Sequence, residues 1–415
     1  MKPIYLDYAS STPLDERVLK TLVSFYEKNF GNPSSLHFFG QKSLAFLDEA
    51  RARIAKILLA NQREIIFTSS ASEANNLVLR GILKAYFRNL LHFKKINCPR
   101  EEKFFQAPKV ILSSIEHPSL LETAKDLEKD GALRVVYLPV NREGIIDLKT
   151  LEKELDSETI LVSVMWVNNE VGSLEPISQI ARLIKDFKEE KKSQKISSPF
   201  NLYPLFHTDA SQALNYFDLN VLKSGVDLMT LSSHKIYGPI GIACLYVKSF
   251  LQESPSLIAP LVTGGDQEFG LRAGTENVAS AWAFAQAVEI AASLREKEYQ
   301  RIWDLALYFF QLLKSQLPLI ETNSPLGQKD KWSPHILNLF LPYKENLVQA
   351  LDLMGIAVSS TSACSQRLEK PSYVLKALGF DETRAKRSLR FSFGRPTTKK
   401  ELELAAKRII KFLSS

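Results

Sequence analysis

Ile160-Leu161-Val162-Ser163-Val164-Met165 is an almost unbroken apolar run. A strand with one wet face alternates polar and apolar residues, so this run predicts a strand covered on both sides. Further strands are read at Ile65-Ile66-Phe67-Thr68, Val110-Ile111-Leu112, Arg134 to Val140, Leu205 to Asp209, Val226 to Leu231 and Ile242 to Val247. Between them the apolar spacing turns helical, as at Leu44, Leu47, Ile54 and Leu58, and again from Ile177 to Phe187. Strand and helix alternating in this way predict an α/β fold with a large, doubly wound, mostly parallel sheet. In such a sheet ligands bind beyond the carboxyl ends of the strands.

Polar side chains stand at or just beyond those ends. Ser72, His117, Asn169, Asp209 and Lys235 each follow an apolar run closely, so the five are expected to converge. Lys235 comes after Ser232-Ser233-His234 and before the turn formers Tyr237-Gly238-Pro239. It is either a surface lysine in a loop or an amine held in a pocket to form an imine with a carbonyl group. Ser232 and His234 could bind an anion beside it. Ser69-Ser70-Ala71-Ser72-Glu73 opens a helix, and its amides at Ala71 and Ser72 either bind a phosphate or belong to an ordinary N-cap. Asp209 is a cap, an ion-pair partner or a carboxylate for a ligand's ring nitrogen, and Gln212 could donate to the same ring. His117, beside Pro118, is a turn residue or a ring that stacks on a ligand. An amine, a carboxylate, an anion cradle and an imidazole together match the needs of pyridoxal 5'-phosphate.

Further along, Thr263-Gly264-Gly265 begins a glycine-rich link that ends at Arg272-Ala273-Gly274-Thr275. A long helix is expected from about Asn277 to Leu317. Strands follow at His335 to Leu341, Ile356 to Ser359 and Ser388 to Phe393, and helices at Asn346 to Met354, around Tyr373 to Leu378 and at the end. Residues 16–262 are therefore expected to form the large domain, and 1–15 with 263–415 a smaller α/β domain. Arg88 to Lys109 and Lys188 to Pro204 are polar with weak periodicity and read as surface insertions.

The 53 basic and 46 acidic residues leave a net charge of +7, but the densest basic run, Lys188-Glu189-Glu190-Lys191-Lys192, is mixed. That is a solvated surface rather than a nucleic-acid footprint. Three cysteines, Cys98, Cys244 and Cys364, are too few and too irregularly spaced for a disulfide framework or a zinc site. With no long apolar run, the expectation is a cytoplasmic protein that binds neither membrane nor metal. Cys244 sits in an apolar strand and reads as a small buried hydrophobe. Cys364 lies among small polar residues, Ser359-Ser360-Thr361-Ser362-Ala363-Cys364-Ser365.

Tyr5-Leu6-Asp7-Tyr8, Gly31-Asn32-Pro33-Ser34-Ser35, Glu116-His117, Asn168-Asn169-Glu170-Val171-Gly172, Asp209-Ala210-Ser211-Gln212, Ser233-His234-Lys235-Ile236-Tyr237-Gly238-Pro239, Arg272-Ala273-Gly274-Thr275 and Arg390-Phe391-Ser392-Phe393-Gly394-Arg395 stand in this order along the chain. Together they resemble the successive signatures of the cysteine desulfurases, in the class V branch of fold-type I pyridoxal phosphate enzymes. The resemblance spans nearly the whole chain. It implies that Lys235 holds the cofactor, that Asp209 and Gln212 tune its ring, and that His117 stacks on it. Ala71, Ser72, Ser232 and His234 would hold the phosphate, with Thr275 reaching across from the other subunit of a homodimer. Asn169 and Arg390 would bind the carboxylate of L-cysteine. Cys364 matches the cysteine whose thiolate takes the substrate sulfur as a persulfide, releasing alanine. The sulfur would then pass to an acceptor protein, such as an iron–sulfur scaffold or a tRNA-thiolation factor.

Selenocysteine lyases and aminotransferases share the branch, but an aminotransferase needs no loop cysteine. A non-catalytic scaffold would have no use for Lys235, Asp209, His117 and Cys364 together. The sequence departs from the family pattern at Ser70 and Thr361, where glycine is common, and at Ser72, where threonine is common. Ser70 must fit a Cβ into a tight turn, and Thr361 could stiffen the cysteine segment.

Overall fold

The computed structural model describes residues 3–97, 107–193, 202–253, 256–344, 347–360 and 371–414. Seven strands form the main sheet: β2 (Ile65–Thr68), β3 (Lys109–Ser113), β4 (Arg134–Leu138), β5 (Thr159–Ser163), β6 (Leu205–Asp209), β7 (Leu228–Ser232) and β8 (Ala243–Val247), in the order β2-β8-β7-β6-β5-β3-β4. Neighbours pair in parallel from β4 through β7, whereas β8 runs antiparallel to both β7 and β2. Ala243 therefore faces both Thr68 and Ser232. That register brings the ends of β2 and β7 to the same edge as the ends of β3, β5 and β6.

The apolar runs are buried as expected. Every residue of β2, β3, β5, β6, β7 and β8 is buried, while β4 at the sheet margin is partly exposed. Alternate side chains feed two cores. Phe67, Ile111, Val162, Phe206, Met229, Leu231 and Cys244 lie in one, and Ile66, Val110, Leu112, Leu161, Leu205, Leu228 and Leu245 in the other. Helices cover both faces: α1 (Glu16–Lys28), α2 (Phe38–Leu58), α3 (Ala71–Asn97), α4 (Pro118–Lys129), α5 (Leu148–Glu154), α6 (Ile177–Ser193) and α7 (Val221–Ser224). Two of them run into the stretches expected to be insertions. Helix α3 continues through residues 88–97, and α6 through 188–193. Residues 98–106 and 194–201 of those stretches lie outside the described residues.

Helix α8 (Val278–Gln316) runs 39 residues. Its first half, including Phe284 and Val288, packs in the core beneath the sheet; its second half, including Ile302 and Phe309, packs in a separate core. That second core also holds the antiparallel strands β9 (Glu321–Thr322), β10 (Ile336–Phe340) and β12 (Ser388–Ser392), in the order β12-β10-β9. Strand β1 (Ile4–Tyr5) pairs in parallel with β11 (Ile356–Ala357). Helices α9 (Leu347–Leu353), α10 (Tyr373–Ala377), α11 (Glu382–Lys386) and α12 (Lys399–Ser414) complete the chain.

One buried ion pair fixes the link before α8. Arg51, 3% exposed on α2, meets Glu268, 4% exposed, through Nη1–Oε2 at 2.6 Å and Nη2–Oε1 at 2.9 Å. Glu268 Oε2 also accepts from the amide of Phe67 (2.8 Å), and the guanidinium lies 4.9 Å from the ring centroids of both Phe67 and Phe269. Glu268 and Phe269 hold φ of 49° and 56°, a left-handed backbone that costs an ordinary residue roughly 1–2 kcal/mol. The ion pair holds that conformation in place. Arg51→Met leaves a buried carboxylate without its counter-charge and should cost about 3–5 kcal/mol. Urea unfolding measures it, and an unchanged midpoint would refute the role given to the pair.

Candidate active site

The polar strand ends line one cavity of about 210 Å³, many times the ~30 Å³ share of a water molecule. Ala71, Ser72, His117, Asn169, Asp209, Gln212, Ser232, His234, Lys235 and Arg390 all face it. These are ten of the twelve residues singled out from the sequence. Thr275 is exposed and is not among the lining residues. Cys364 lies outside the described residues, as do Cys98 and Thr361. Cys244 is buried in the core, and burial pushes its thiol well above the ordinary value.

Strand β7 delivers Lys235 through one turn of 3₁₀ helix, Ser233–Lys235. Its Nζ donates to the carbonyls of Ala9 (2.6 Å) and Ser10 (2.7 Å). The turn is braced from the same N-terminal segment: Thr12 donates through its amide and its Oγ1 to the His234 carbonyl (3.0 and 2.9 Å). Thr12 Oγ1 in turn accepts from the amide of Tyr237 (2.7 Å). Beyond it the chain needs a glycine, since a Cβ on Gly238 would stand 2.2 Å from Ser233 Oγ.

Asp209 closes β6 and is 6% exposed. Its Oδ2 accepts from Asn75 Nδ2 (2.8 Å) and its Oδ1 from the Ser211 amide (3.0 Å). Asn75 Nδ2 also donates to Ser119 Oγ (2.9 Å), which lies 2.8 Å from His117 Nδ1. A polar chain thus joins Asp209 to His117. His117 is both of the things expected of it: it faces the cavity, and its Nδ1 caps α4 by accepting from the Ser119 amide (3.2 Å). Burial lowers its pKa despite the attraction of Asp209. Gln212 donates from Nε2 to the Ala9 carbonyl (2.9 Å), and its Oε1 lies 3.3 Å from His335 Nε2.

At the end of β2, Ser70 Oγ accepts from the Glu73 amide (3.1 Å) and caps α3. The amides of Ala71 and Ser72 lie in the first turn of this helix, where no intrahelical acceptor exists. Ser70 is not among the residues with left-handed backbone, so its Cβ is accommodated without strain. His234 lines the same cavity. Burial and then Lys235 push its pKa down to about 4.

Arg390 projects from β12 and is 1% exposed. Its Nη1 donates to the Asn169 carbonyl (2.7 Å), and its Nη2 to Asp7 Oδ1 (2.8 Å) and Ser10 Oγ (2.6 Å). Its Nε, Asn169 Oδ1 and Ser211 Oγ are buried without a hydrogen-bond partner among the described residues. Orphaned polar atoms cost about 1–3 kcal/mol each, a cost that a ligand can remove. Asp7, Ser10, Asn75 and Ser119 were missed from the sequence. Asn75 left one signal, an amide beside Ala74, Leu77 and Val78 on the buried face of a helix.

The sequence profile of the family described as Aminotransferase class-V matches residues 4–404. "Cysteine desulfurase IscS" of Dictyoglomus turgidum is 37% identical over 403 residues, 97% of this chain and 92% of that protein. The "Cysteine desulfurase" of Mus musculus is 36% identical over 411 residues, 99% of this chain and 81% of that one. Among solved structures, a "NIFS-LIKE PROTEIN" superposes with a TM-score of 0.84 at 30% identity, covering 99% of both chains. "SspA in complex with cysteine" superposes with a TM-score of 0.74 at 31% identity, covering 94% of this chain and 98% of that one.

Burial lowers the pKa of four of the six histidines: His117, His207, His234 and His335. Between the ordinary value of 6.5 and the lowered values, the unfolded chain binds more protons than the folded one. Stability therefore falls as pH drops through that window. His234→Gln removes one contribution, so its loss of stability between about pH 6.5 and pH 4 should be shallower. Urea midpoints taken near pH 7 and near pH 5 measure this; an equal drop in variant and wild type sinks the assignment.

Proposed function

The chain belongs to the class-V aminotransferase family, and we infer that it is a pyridoxal 5'-phosphate-dependent cysteine desulfurase, converting L-cysteine to L-alanine and retaining the sulfur as an enzyme persulfide. The observation that carries this reading is the convergence of Lys235, Asp209, His117 and Arg390 on one cavity. The residues present fit the cofactor. The α3 helix start with Ser232 and His234 suits its phosphate, Asp209 its pyridine nitrogen, His117 the face of its ring and Lys235 its aldehyde. The orphaned Asn169 Oδ1 and Ser211 Oγ leave polar capacity for a guest.

Pyridoxal phosphate, when bound, supplies an electron sink for the bonds at the substrate's α carbon. Everything else falls to the chain. Asn75 and the Ser211 amide aim the Asp209 carboxylate. His117, kept neutral by burial, offers a flat ring without a competing positive charge. Arg390 and Asn169 orient the substrate carboxylate, Arg390 with its remaining Nε–H. With the cofactor bound, Lys235 Nζ would be the base that takes the substrate's α proton. The Cys364 thiolate then bonds to the substrate sulfur as the Cβ–S bond breaks. The electron pair stays with the carbon fragment, which gains protons and leaves as alanine. Atoms and electrons balance between cysteine and thiol on one side and alanine and persulfide on the other, with no external oxidant.

The reading extends to partners. Thr275 is exposed and outside its own chain's cavity, and Phe30, Leu36 and Phe38 are 72%, 91% and 73% exposed. Both features support a homodimer in which Thr275 serves the phosphate site of the partner subunit. An acceptor protein, an iron–sulfur scaffold or a tRNA-thiolation factor, would receive the sulfur in the cytoplasm. No helix among the described residues is long and apolar enough to cross a membrane. The division into a large domain, 16–262, and a smaller one, 1–15 with 263–415, belongs to the same proposal. It is supported by the two cores that share α8.

Cys364→Ala should reduce alanine formation from cysteine to background while keeping the visible absorbance of bound cofactor. Lys235→Ala should lose that absorbance. Alanine release by Cys364→Ala at the wild-type rate would overturn the assignment of the thiol.

A further inference from the structure

His335 stands just before β10 and is 4% exposed, its ring stacked on Tyr216 with centroids 4.5 Å apart and planes at 19°. Its main chain is fixed as well, since the Phe393 amide donates to the His335 carbonyl (2.9 Å). Burial first, then Arg390 and Lys235, lower its pKa to about 3, so the imidazole is neutral and carries a single N–H. No step of the reaction described above uses this ring. It nevertheless reaches the site, because its Nε2 lies 3.3 Å from Gln212 Oε1, while its Nδ1 lies 2.8 Å from Ser333 Oγ.

The direction of every hydrogen bond in this row is forced from one end. The Ala9 carbonyl can only accept, so the Gln212 atom 2.9 Å from it is the amide nitrogen, and the atom facing His335 is the amide oxygen. An amide oxygen also only accepts, so His335 Nε2 must hold the single ring proton. Nδ1 is then the acceptor, and the Ser333 hydroxyl donates to it. Both ends of the Gln212 amide are thereby held, Nε2 by Ala9 and Oε1 by His335. One Nε2 hydrogen remains without an acceptor among the described residues, on a side chain that lines the cavity. Its neighbour is the amine, since Lys235 Nζ donates to the same Ala9 carbonyl (2.6 Å). On the pyridoxal ring, the carbon that bears the aldehyde is flanked by the phenolic oxygen on one side and the phosphate arm on the other. The phosphate is assigned to the α3 start, which leaves the phenolic oxygen for Gln212.

We propose that His335, oriented by Ser333, is a positioning residue for Gln212, locking its amide so that the remaining Nε2 hydrogen points at the cofactor's phenolic oxygen. This rests on the cofactor assignment made above. A donor there stabilises the ionised oxygen and weakens its hold on the neighbouring proton of the cofactor–lysine bond. Without the His335 N–H, Gln212 Oε1 loses its donor, and the amide is free to turn its nitrogen away.

The test uses full-length enzyme loaded with pyridoxal phosphate, its visible absorbance followed from neutral to alkaline pH. His335→Phe keeps a stacked ring and deletes the N–H, so the midpoint of the spectral change should rise by about half a pH unit, roughly a threefold change in the proton equilibrium. Gln212→Leu should shift the midpoint the same way, and adding His335→Phe to it should shift it no further. His335→Gln, which brings an amide nitrogen to the place of Nε2, should restore the wild-type midpoint. Ser333→Ala, which leaves the ring proton free to sit on either nitrogen, should give a smaller rise. A His335→Phe spectrum that matches the wild type at every pH overturns the proposal. So does a double variant in which the two shifts add, because His335 would then act on the cavity through packing and not through Gln212. Should His335→Phe fold poorly, Ser333→Ala with and without Gln212→Leu decides by the same comparison. Failure of the cofactor assignment looks different: wild-type apoenzyme would take up no pyridoxal phosphate and show no visible band.

Discussion

A guanidinium that is 1% exposed needs partners inside the protein, and Arg390 sets that demand at the centre of the molecule. Its neighbours meet it from two distant parts of the chain, Asp7 with Ser10 and Asn169. Removing one partner from a buried charge costs more than the pair contributes, so the N-terminal segment must lie across the cavity. Once there, it dictates more. The carbonyls of Ala9 and Ser10 receive the Lys235 amine, and Ala9 also receives Gln212. Residues 3–12, of which only Ile4 and Tyr5 lie in a strand, thus supply a wall of the site through Ala9 and Ser10.

Desolvation decides the protonation states around that wall. Two cations, Lys235 and Arg390, face two carboxylates, Asp209 and Asp7, in a space where a third positive charge would be unfavourable. The imidazoles respond accordingly. His335, stacked 4.5 Å from Tyr216, is driven down to about 3 by burial first and then by Arg390 and Lys235. Glu116 behaves as the mirror image: burial, with repulsion from Asp209 and Glu175, raises it well above the ordinary carboxyl range, despite the bond from the Met165 amide. A neutral Glu116 can sit behind His117 without competing for its surroundings.

The strands of the main sheet were legible in the sequence because residues buried on both faces leave no polar signal to confuse the pattern. The same burial explains why their ends stood out: Asp209 after Leu205 to Thr208, or Asn169 after Ile160 to Val167, is polar where water or a ligand must begin. Helix periodicity was less readable where the sequence is dominated by charged and polar residues. Residues 88–97 and 188–193 therefore passed for loop although α3 and α6 continue through them. Asp7, Ser10 and Ser119 act through contacts with residues up to 383 positions away, and no local pattern announces that. Asn75 is the exception, an amide on an otherwise apolar face. Cys364 was singled out by family resemblance and not by any spacing, and its chemistry is accordingly a matter for experiment.

The turn after β7 shows why a lysine at a strand end is ambiguous until its supports are known. Tyr237 adopts φ of +66°, a conformation unfavourable for a bulky residue, directly beyond Lys235. The strain persists because the tyrosine is held from above. Its hydroxyl accepts from the Arg395 amide (2.6 Å), and the Arg395 guanidinium lies 4.1 Å from its ring centroid. Gly394 makes room for this, since a Cβ there would stand 2.4 Å from both the tyrosine hydroxyl and Tyr8. Gly394 and Arg395 follow directly after the strand that carries Arg390. One stretch of chain therefore places the guanidinium proposed for the substrate carboxylate and braces the turn that presents the amine. A displacement of β12 would disturb both partners of the substrate together, whereas a loop lysine without this brace would have had nothing to hold it against the cavity.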